Sequence, residues 1–422
     1  EKRTHIIYMN NIRPIEQPYK GLTKKIKDAM AKTDVVDFSN TEIAFADKSD
    51  KELKEAAWLF SMMNKPWVTN WGSKFGAWAV KWRLPFSESV THQTIFKQFC
   101  GGRTLLESQD TITRLYNNNV QSILDYGAEA KSTEEEFNKT MNENIRAIEF
   151  AAQNQSVPVI STKITGLARF GLLEKMQSED NLTEKENLEY KNVLKRLDSI
   201  CHTGQSKGVS VFIDAEESWI QDAIDHLVNL MMERYNRQTV VVYNTFQMYR
   251  KDRLAYLKHS FEEAQHEGYL LGAKLVRGAY MEKERDRAEE LGYESPICPD
   301  KAATDESYNE GIKFCVENYE KIASCNASHN AESAQLQAEM IVRNNIPRDH
   351  THLNFCQLLG MSDHLTFNLA KAGFNVAKYV VYGSVREVVP YLVRRAQENK
   401  AVTGDMSREL EFIMTEVRRR GL

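Results

Sequence analysis

From residue 119 onward the chain alternates short apolar runs with long helical patterns, and this alternation limits its possible folds more than any other feature. The runs are NVQSILDYG (119–127), VPVIST (157–162), GVSVFID (208–214), TVVVYNT (239–245), LLGAKLV (270–276), IASCNAS (322–328), THLNFCQ (351–357) and NVAKYVV (375–381). Near-continuous apolar runs suit parallel strands covered by helices, and STEEEF at 132 and LTEKE at 182 read as helix starts between them. Eight strand–helix units in succession predict an α/β protein built as a (βα)8 TIM-like barrel. A doubly wound open sheet is the competitor, but no GxGxxG follows any of the runs.

Ahead of the barrel the pattern is helical. SDKE at 49–52 fits a capping box, with Ser49 as N-cap and Glu52 at the third helical position, leading into LKEAAWLFSMM. The expected division is an N-terminal helical arm over 1–115 and a barrel over 116–422. Five of the six tryptophans (58, 67, 71, 78 and 82) fall in the arm, interleaved with Lys65, Lys74, Lys81 and Arg83. Packing into a helical core is the expectation for them, and contact with a membrane interface is the alternative.

Composition removes several function classes. With 55 Lys+Arg against 59 Asp+Glu, there is no basic field to hold nucleic acid. The six cysteines show no CxxC pair or zinc spacing, which points to reduced thiols, and no apolar run approaches the roughly 20 residues of a spanning helix. Membrane contact is therefore expected to be peripheral, from the cytoplasmic side, or from the matrix side in a mitochondrion. His350 and His352 could share a strand face as metal ligands, but they open the seventh run, at the barrel floor, so no metal site is expected.

Barrel chemistry gathers at the C-terminal ends of strands. Polar groups occur there: Lys163 ends the second run, Asp214 the third with Glu216 just beyond, Asn244 and Gln247 the fourth, Arg277 to Tyr280 the fifth and Ser328-His329-Asn330 the sixth. The eighth run contains Lys378 and Tyr379, and its helix carries Arg394, Arg395 and Glu398. Each has a structural alternative: an ion pair between Lys163 and Asp214, a backbone contact for Gln247, a core histidine at 329, a solvated face for the arginines. The chain has no GxSxG, HExxH or Walker A motif. Cations, a few carboxylates, an amide, Tyr and His can bind a small anionic substrate and position an organic cofactor that performs the chemistry. Lys274, a cation inside an apolar run, would stabilise negative charge developing on such a group.

FIDAE (212–216), YNTFQMY (243–249), GAKLVRGAYMEKER (272–285), GYESPICPDKAATDESYN (292–309), ASHN (327–330), QLLGM (357–361), KYVVYG (378–383) and PYLVRRAQEN (390–399) together resemble the proline dehydrogenase family. The resemblance implies a distorted (βα)8 barrel with noncovalent FAD and oxidation of L-proline to Δ1-pyrroline-5-carboxylate. Hydride passes from proline C5 to flavin N5, and the electrons go on to a quinone. It implies a proline pocket of Lys163, Asp214, Tyr379, Arg394, Arg395 and Glu398, walled by Tyr280 and Leu358, with the arginines on the carboxylate. On the cofactor side it implies Ile213, Asp214, Gln247, Lys274, Arg277, Gly278, Ala279, Tyr280, Ser328 and His329, and a gate pairing Glu129 with Arg395. Lys163, Asp214, Lys274 and Tyr379 would form the catalytic group.

Many bacterial members have Arg at the Lys274 position and Lys at the Arg277 position, so the KLVRGAY form is similar to the animal-type branch; Ser328 stands where others have Thr. The length leaves no room for the fused pyrroline-carboxylate dehydrogenase module of bifunctional members, so a monofunctional protein is expected. Three alternatives stay open: hydroxyproline oxidation, disfavoured by the bulk of Tyr379; a flavin-free Schiff-base aldolase using Lys163; and a non-enzymatic binding module presenting the Trp-rich arm.

Overall fold

The computed structural model describes residues 35–65, 87–127, 131–178, 180–397 and 405–422. The chain divides into Glu1–Val35 and Val36–Leu422, and all that follows concerns the second unit. Its strands are β1 (Cys100–Gly102), β2 (Gln121–Tyr126), β3 (Val159–Lys163), β4 (Ser210–Asp214), β5 (Val242–Gln247), β6 (Leu271–Val276), β7 (Ile322–Ala327), β8 (Leu353–Leu358) and β9 (Val376–Tyr382). Strands β2 to β9 pair in chain order, all parallel, and β9 returns to pair with β2, closing an eight-stranded barrel. At least one helix follows each of these strands, as the alternation predicts. IASCNAS forms a well-buried strand, with Ala323 and Cys325 in the same cluster as Phe212 and Tyr379.

Local chemistry sets the helix starts. The Ser49/Glu52 capping box begins the helix Asp50–Met63, and the boxes Thr133/Glu136 and Thr183/Glu186 begin Glu134–Ala151 and Glu184–Lys207. In each box the side-chain oxygen accepts one of the helix's orphan N–H groups, while the glutamate returns to the N-cap N–H. Within the sheet, a Cβ at Gly272 would lie 2.2 Å from the Val242 carbonyl oxygen, so only glycine lets β6 lie this close to β5.

Two features differ from the sequence expectations. Cys100–Gly102, inside the stretch expected to be helical, forms β1 and pairs in parallel with the end of β9. Three residues rich in glycine give no apolar run to read. Trp58 was expected to pack inside the arm, but it is 58% exposed, because its helix buries Leu53, Ala56, Phe60 and Met63 instead. Trp67, Trp71, Trp78 and Trp82 lie outside the described residues. The helix Asp50–Met63 packs against the last helix, Asp405–Arg419, and their apolar residues join the same buried cluster as Phe212, Tyr243 and Tyr379 of the barrel.

Candidate active site

Side chains alternate across a strand, so residues two apart share the barrel interior. That rule puts Ser161 and Lys163 of β3, Phe212 and Asp214 of β4, Lys274 of β6 and Tyr379 of β9 in one place. Asp214 is the hub. Its Oδ1 accepts from Lys274 Nζ at 2.5 Å and Ser161 Oγ at 2.8 Å, and its Oδ2 accepts from the Tyr379 hydroxyl at 2.6 Å and lies 3.4 Å from Lys163 Nζ. Asp125 of β2 stands 3.9 Å beyond Lys163. The buried Lys274 is also sandwiched between rings, 4.9 Å from the centroid of Tyr379 and 5.4 Å from that of Phe212.

The electrostatics follow from this geometry. Burial alone would raise the Asp214 carboxyl, but the Lys274 and Lys163 ammoniums outweigh it and hold the group far below its ordinary range. The Tyr379 hydroxyl is pushed well up by burial and by the Asp125 and Asp214 carboxylates, so it remains a proton donor. Lys163 is held in ion pairs rather than presented as the free amine that Schiff-base chemistry needs.

The other predicted residues fall around this hub. Leu358 is half-buried at the end of β8, in register with Tyr379, and Tyr280 is half-buried ahead of the helix Met281–Leu291. Ile213 is fully buried, and its carbonyl accepts from Thr245 Oγ1 at 2.7 Å. Gln247 donates to the Glu216 carbonyl at 2.6 Å and the Tyr249 hydroxyl at 2.9 Å, the backbone contact weighed as its structural alternative. Arg277 stacks 3.9 Å from the Tyr308 centroid, pairs with Asp305 and donates to Ser333 Oγ at 2.7 Å, while its buried Nε has no hydrogen-bond partner.

Beside it, Gly278 has φ 91°, and the place of its missing Cβ is open for 4 Å around. Glycine is required there by backbone conformation. Ala279 is exposed, Ser328 is buried with Oγ accepting from Asn330 N at 3.1 Å, and His329 Nδ1 lies 2.8 Å from Ser362 Oγ.

Arg394 and Arg395 lie on the helix Val385–Gln397, whose Val388, Tyr391 and Leu392 pack into the same apolar cluster as Tyr379. Arg395 is buried over the Tyr391 ring and close enough to His329 to help depress its basicity. Glu398 and Glu129, and with it the expected gate, lie outside the described residues. Lys378 is a correction. Adjacent to Tyr379, it points to the opposite face of β9 and pairs with Asp363 at 2.8 Å outside the barrel.

Ser161, Asp125 and Phe212 were not singled out from sequence, although each stands two residues from a neighbour that faces inward: Ser161 from Lys163, Asp125 from Ile123, Phe212 from Asp214. Ser161 and Phe212, small or apolar inside a strand, carry no signal of their own, whereas Asp125, a carboxylate in NVQSILDYG, carries the same kind of signal as Lys274 in its run. His350 and His352 sit at the start of β8, where His350 packs edge-on to Tyr319 and His352 Nδ1 meets the Tyr319 carbonyl at 2.7 Å. The six cysteines are all buried and unpaired. Among the described residues no helix is long and apolar enough to cross a membrane.

A shared carboxylate between two ammoniums, with arginines on an adjoining helix, is a set of groups able to bind an anion. An orphaned arginine N–H beside an open left-handed glycine suits an extended anionic cofactor entering from the β6 side.

Comparison with known proteins gives the family and the fold. The family model for proline dehydrogenase matches residues 108–408. The chain is 34% identical over 371 residues to the mitochondrial proline dehydrogenase 1 of Dictyostelium discoideum, covering 78% of this chain and 65% of the relative. It is 30% identical over 363 residues to the hydroxyproline dehydrogenase of Xenopus laevis, covering 78% of each. Among solved structures it is similar to proline utilization A from Bdellovibrio bacteriovorus, inactivated by N-propargylglycine, with a TM-score of 0.68, 20% identity, and coverage of 90% of this chain and 41% of that one. The barrel fold is thus shared with a solved protein more than twice as long.

Proposed function

Because the chain belongs to the proline dehydrogenase family, we propose that it oxidises L-proline to Δ1-pyrroline-5-carboxylate with FAD as its cofactor. FAD, when bound, supplies the acceptor for the hydride lost from C5 of proline and the route by which electrons reach a quinone. Lys274, Arg277, Gly278, Ala279, Ser328 and His329 are the residues that would hold it, with Gln247 and Ile213 shaping the wall behind. The orphaned Arg277 Nε and the open backbone at Gly278 support that assignment.

The protein's own part is positioning and electrostatics. Arg394, Arg395 and Lys163 take the proline carboxylate, and the family resemblance assigns the amine to Glu398, which lies outside the described residues. Asp214 fixes both lysines and the Tyr379 ring, so Lys274 is aimed at the reacting pair without freedom to drift. The Asp214 hub carries this reading, since it unites the four groups expected to be catalytic. Anaerobic addition of L-proline to the yellow holoenzyme should bleach its visible flavin absorbance. A colourless protein that takes up no FAD, or a yellow one that proline leaves unchanged, overturns the reading.

Hydroxyproline is the second reading, favoured by the Xenopus relative. Against it stands Tyr379, whose hydroxyl is locked by Asp214 and whose ring therefore cannot swing away from a substrate hydroxyl. Turnover on both amino acids decides between them, with proline expected to be preferred.

A further inference from the structure

Ser362 has an unusual backbone. It is fully buried at the N-cap of the helix Asp363–Lys371, yet its φ is 52°, a left-handed conformation that costs a non-glycine residue about 1 kcal/mol or more. A serine at an N-cap normally caps the helix with its side chain, and this one makes no cap bond. Its hydroxyl is used elsewhere: Oγ lies 2.8 Å from His329 Nδ1 and 3.1 Å from Glu409 Oε1, and the same Oε1 accepts the Ser362 backbone N–H at 2.7 Å. Glu409 is buried and comes from the last helix, Asp405–Arg419, so three distant parts of the chain meet in one line.

The direction of the hydrogen bonds follows from donor and acceptor capacity. A backbone N–H can only donate, so Oε1 of Glu409 is an acceptor at this point. The Ser362 hydroxyl, meeting that same oxygen, gives its proton to Glu409. Its lone pair is then left for His329, which must present a protonated Nδ1. Nε2 therefore carries no proton, and it has no hydrogen-bond partner among the described residues. Burial, with Lys378, Arg395, His364 and Arg408 around it, holds His329 well below its ordinary basicity, so the ring stays neutral.

We propose that Glu409 and Ser362 are positioning residues that lock His329 as its Nδ1–H tautomer, so that Nε2 accepts a hydrogen bond from an N–H or hydroxyl of the bound cofactor rather than donating to its phosphates. This rests on the proposed assignment of His329 to the cofactor site. The lock is charge-dependent. Glu409 is pushed up to about 7 by burial and the neighbouring Asp363, against Lys378 and the Ser362 donors. Below that pH its carboxyl becomes neutral and a weaker acceptor, and the tautomer preference relaxes.

The test is a histidine-15N-labelled, flavin-loaded full chain examined by long-range proton–nitrogen NMR, with the His329 signals identified by their loss in His329→Gln. The expected result is an Nδ1–H pattern at pH 8 in the wild type and a partly relaxed one in Glu409→Gln, whose neutral amide oxygen still accepts both bonds but more weakly. Ser362→Ala and Glu409→Leu should shift His329 toward Nε2–H and weaken flavin binding about fivefold, the loss of one ordinary hydrogen bond. An Nε2–H pattern in the wild type, or one indifferent to both Ser362→Ala and Glu409→Leu in folded protein, overturns the proposal. Flavin affinity of His329→Leu reads the underlying assignment separately: if it equals that of the wild type, His329 is not a cofactor contact, whatever its tautomer.

Discussion

Strand β9 separates two buried clusters of the same composition, each an aspartate between two lysines. Inside the barrel, Asp214 takes Lys274 and Lys163; outside, Asp363 takes Lys378 at 2.8 Å and Lys48 at 3.2 Å. In both, burial would raise the carboxyl and the flanking ammoniums reverse it. The difference lies in surroundings. Lys378 also donates to the Leu358 and Met361 carbonyls and is only 1% exposed, while Lys48 keeps 13% exposure; the Lys163 and Asp214 side chains keep 11% and 13%. The outer cluster joins the segment around Lys48 to the barrel. The inner one faces the barrel interior, with the Tyr379 hydroxyl on Asp214 and the Tyr379 and Phe212 rings about Lys274. A buried ion cluster marks a site only where its partners leave capacity for another molecule.

The largest expected effect tests the inner cluster. Lys274→Met should slow flavin reduction by proline, per folded molecule, about 10²- to 10³-fold, the scale of losing one preorganised electrostatic contact. If reduction stays fast, Lys274 has no place in the chemistry and the two clusters do not differ in kind. Asp363→Asn should do the reverse. Stranding two buried lysines costs roughly 3–5 kcal/mol in urea unfolding, with activity per folded molecule near that of the wild type. Equal losses of activity in both variants would erase the distinction.

A smaller change is expected from Arg395→Met, which should raise the KM for proline about tenfold and alter kcat less; an unchanged KM removes it from the carboxylate contact. The smallest concerns pH. Glu216, buried against Thr165, is raised to about 7 by burial. A carboxyl raised in the folded state stabilises it below its ordinary pKa, and this is lost as pH rises through about 7. Glu216→Gln should therefore flatten the decline in stability between about pH 4.5 and 7. An unaltered slope would mean that Glu216 is not the group titrating there.

The comparison also shows what the sequence could reveal. All eight barrel strands were legible because apolar runs and capping residues are local signals, and the cation in LLGAKLV was legible because lysine is foreign to such a run. Asp214 as its partner was not legible, since the strand-end pattern paired Asp214 with Lys163 and set Lys274 against a cofactor. Which face Lys378 and Tyr379 choose was not legible, since both faces of β9 are buried and a fully apolar strand shows no alternation. Ser362 and Glu409 were invisible for another reason: 47 residues separate them, and neither has meaning without the other.

Lys378 and Tyr379 are successive residues, one committed to the layer behind the strand and one to the cavity in front. A one-residue slip of β9 would drive an ammonium into the pocket and a phenol into a buried salt cluster. The strand thus acts as a ruler with two pegs. Insertions and deletions between β8 and β9 must be absorbed entirely in the intervening loop and helix, and anyone recombining this barrel with a relative should place crossover points outside 376–382.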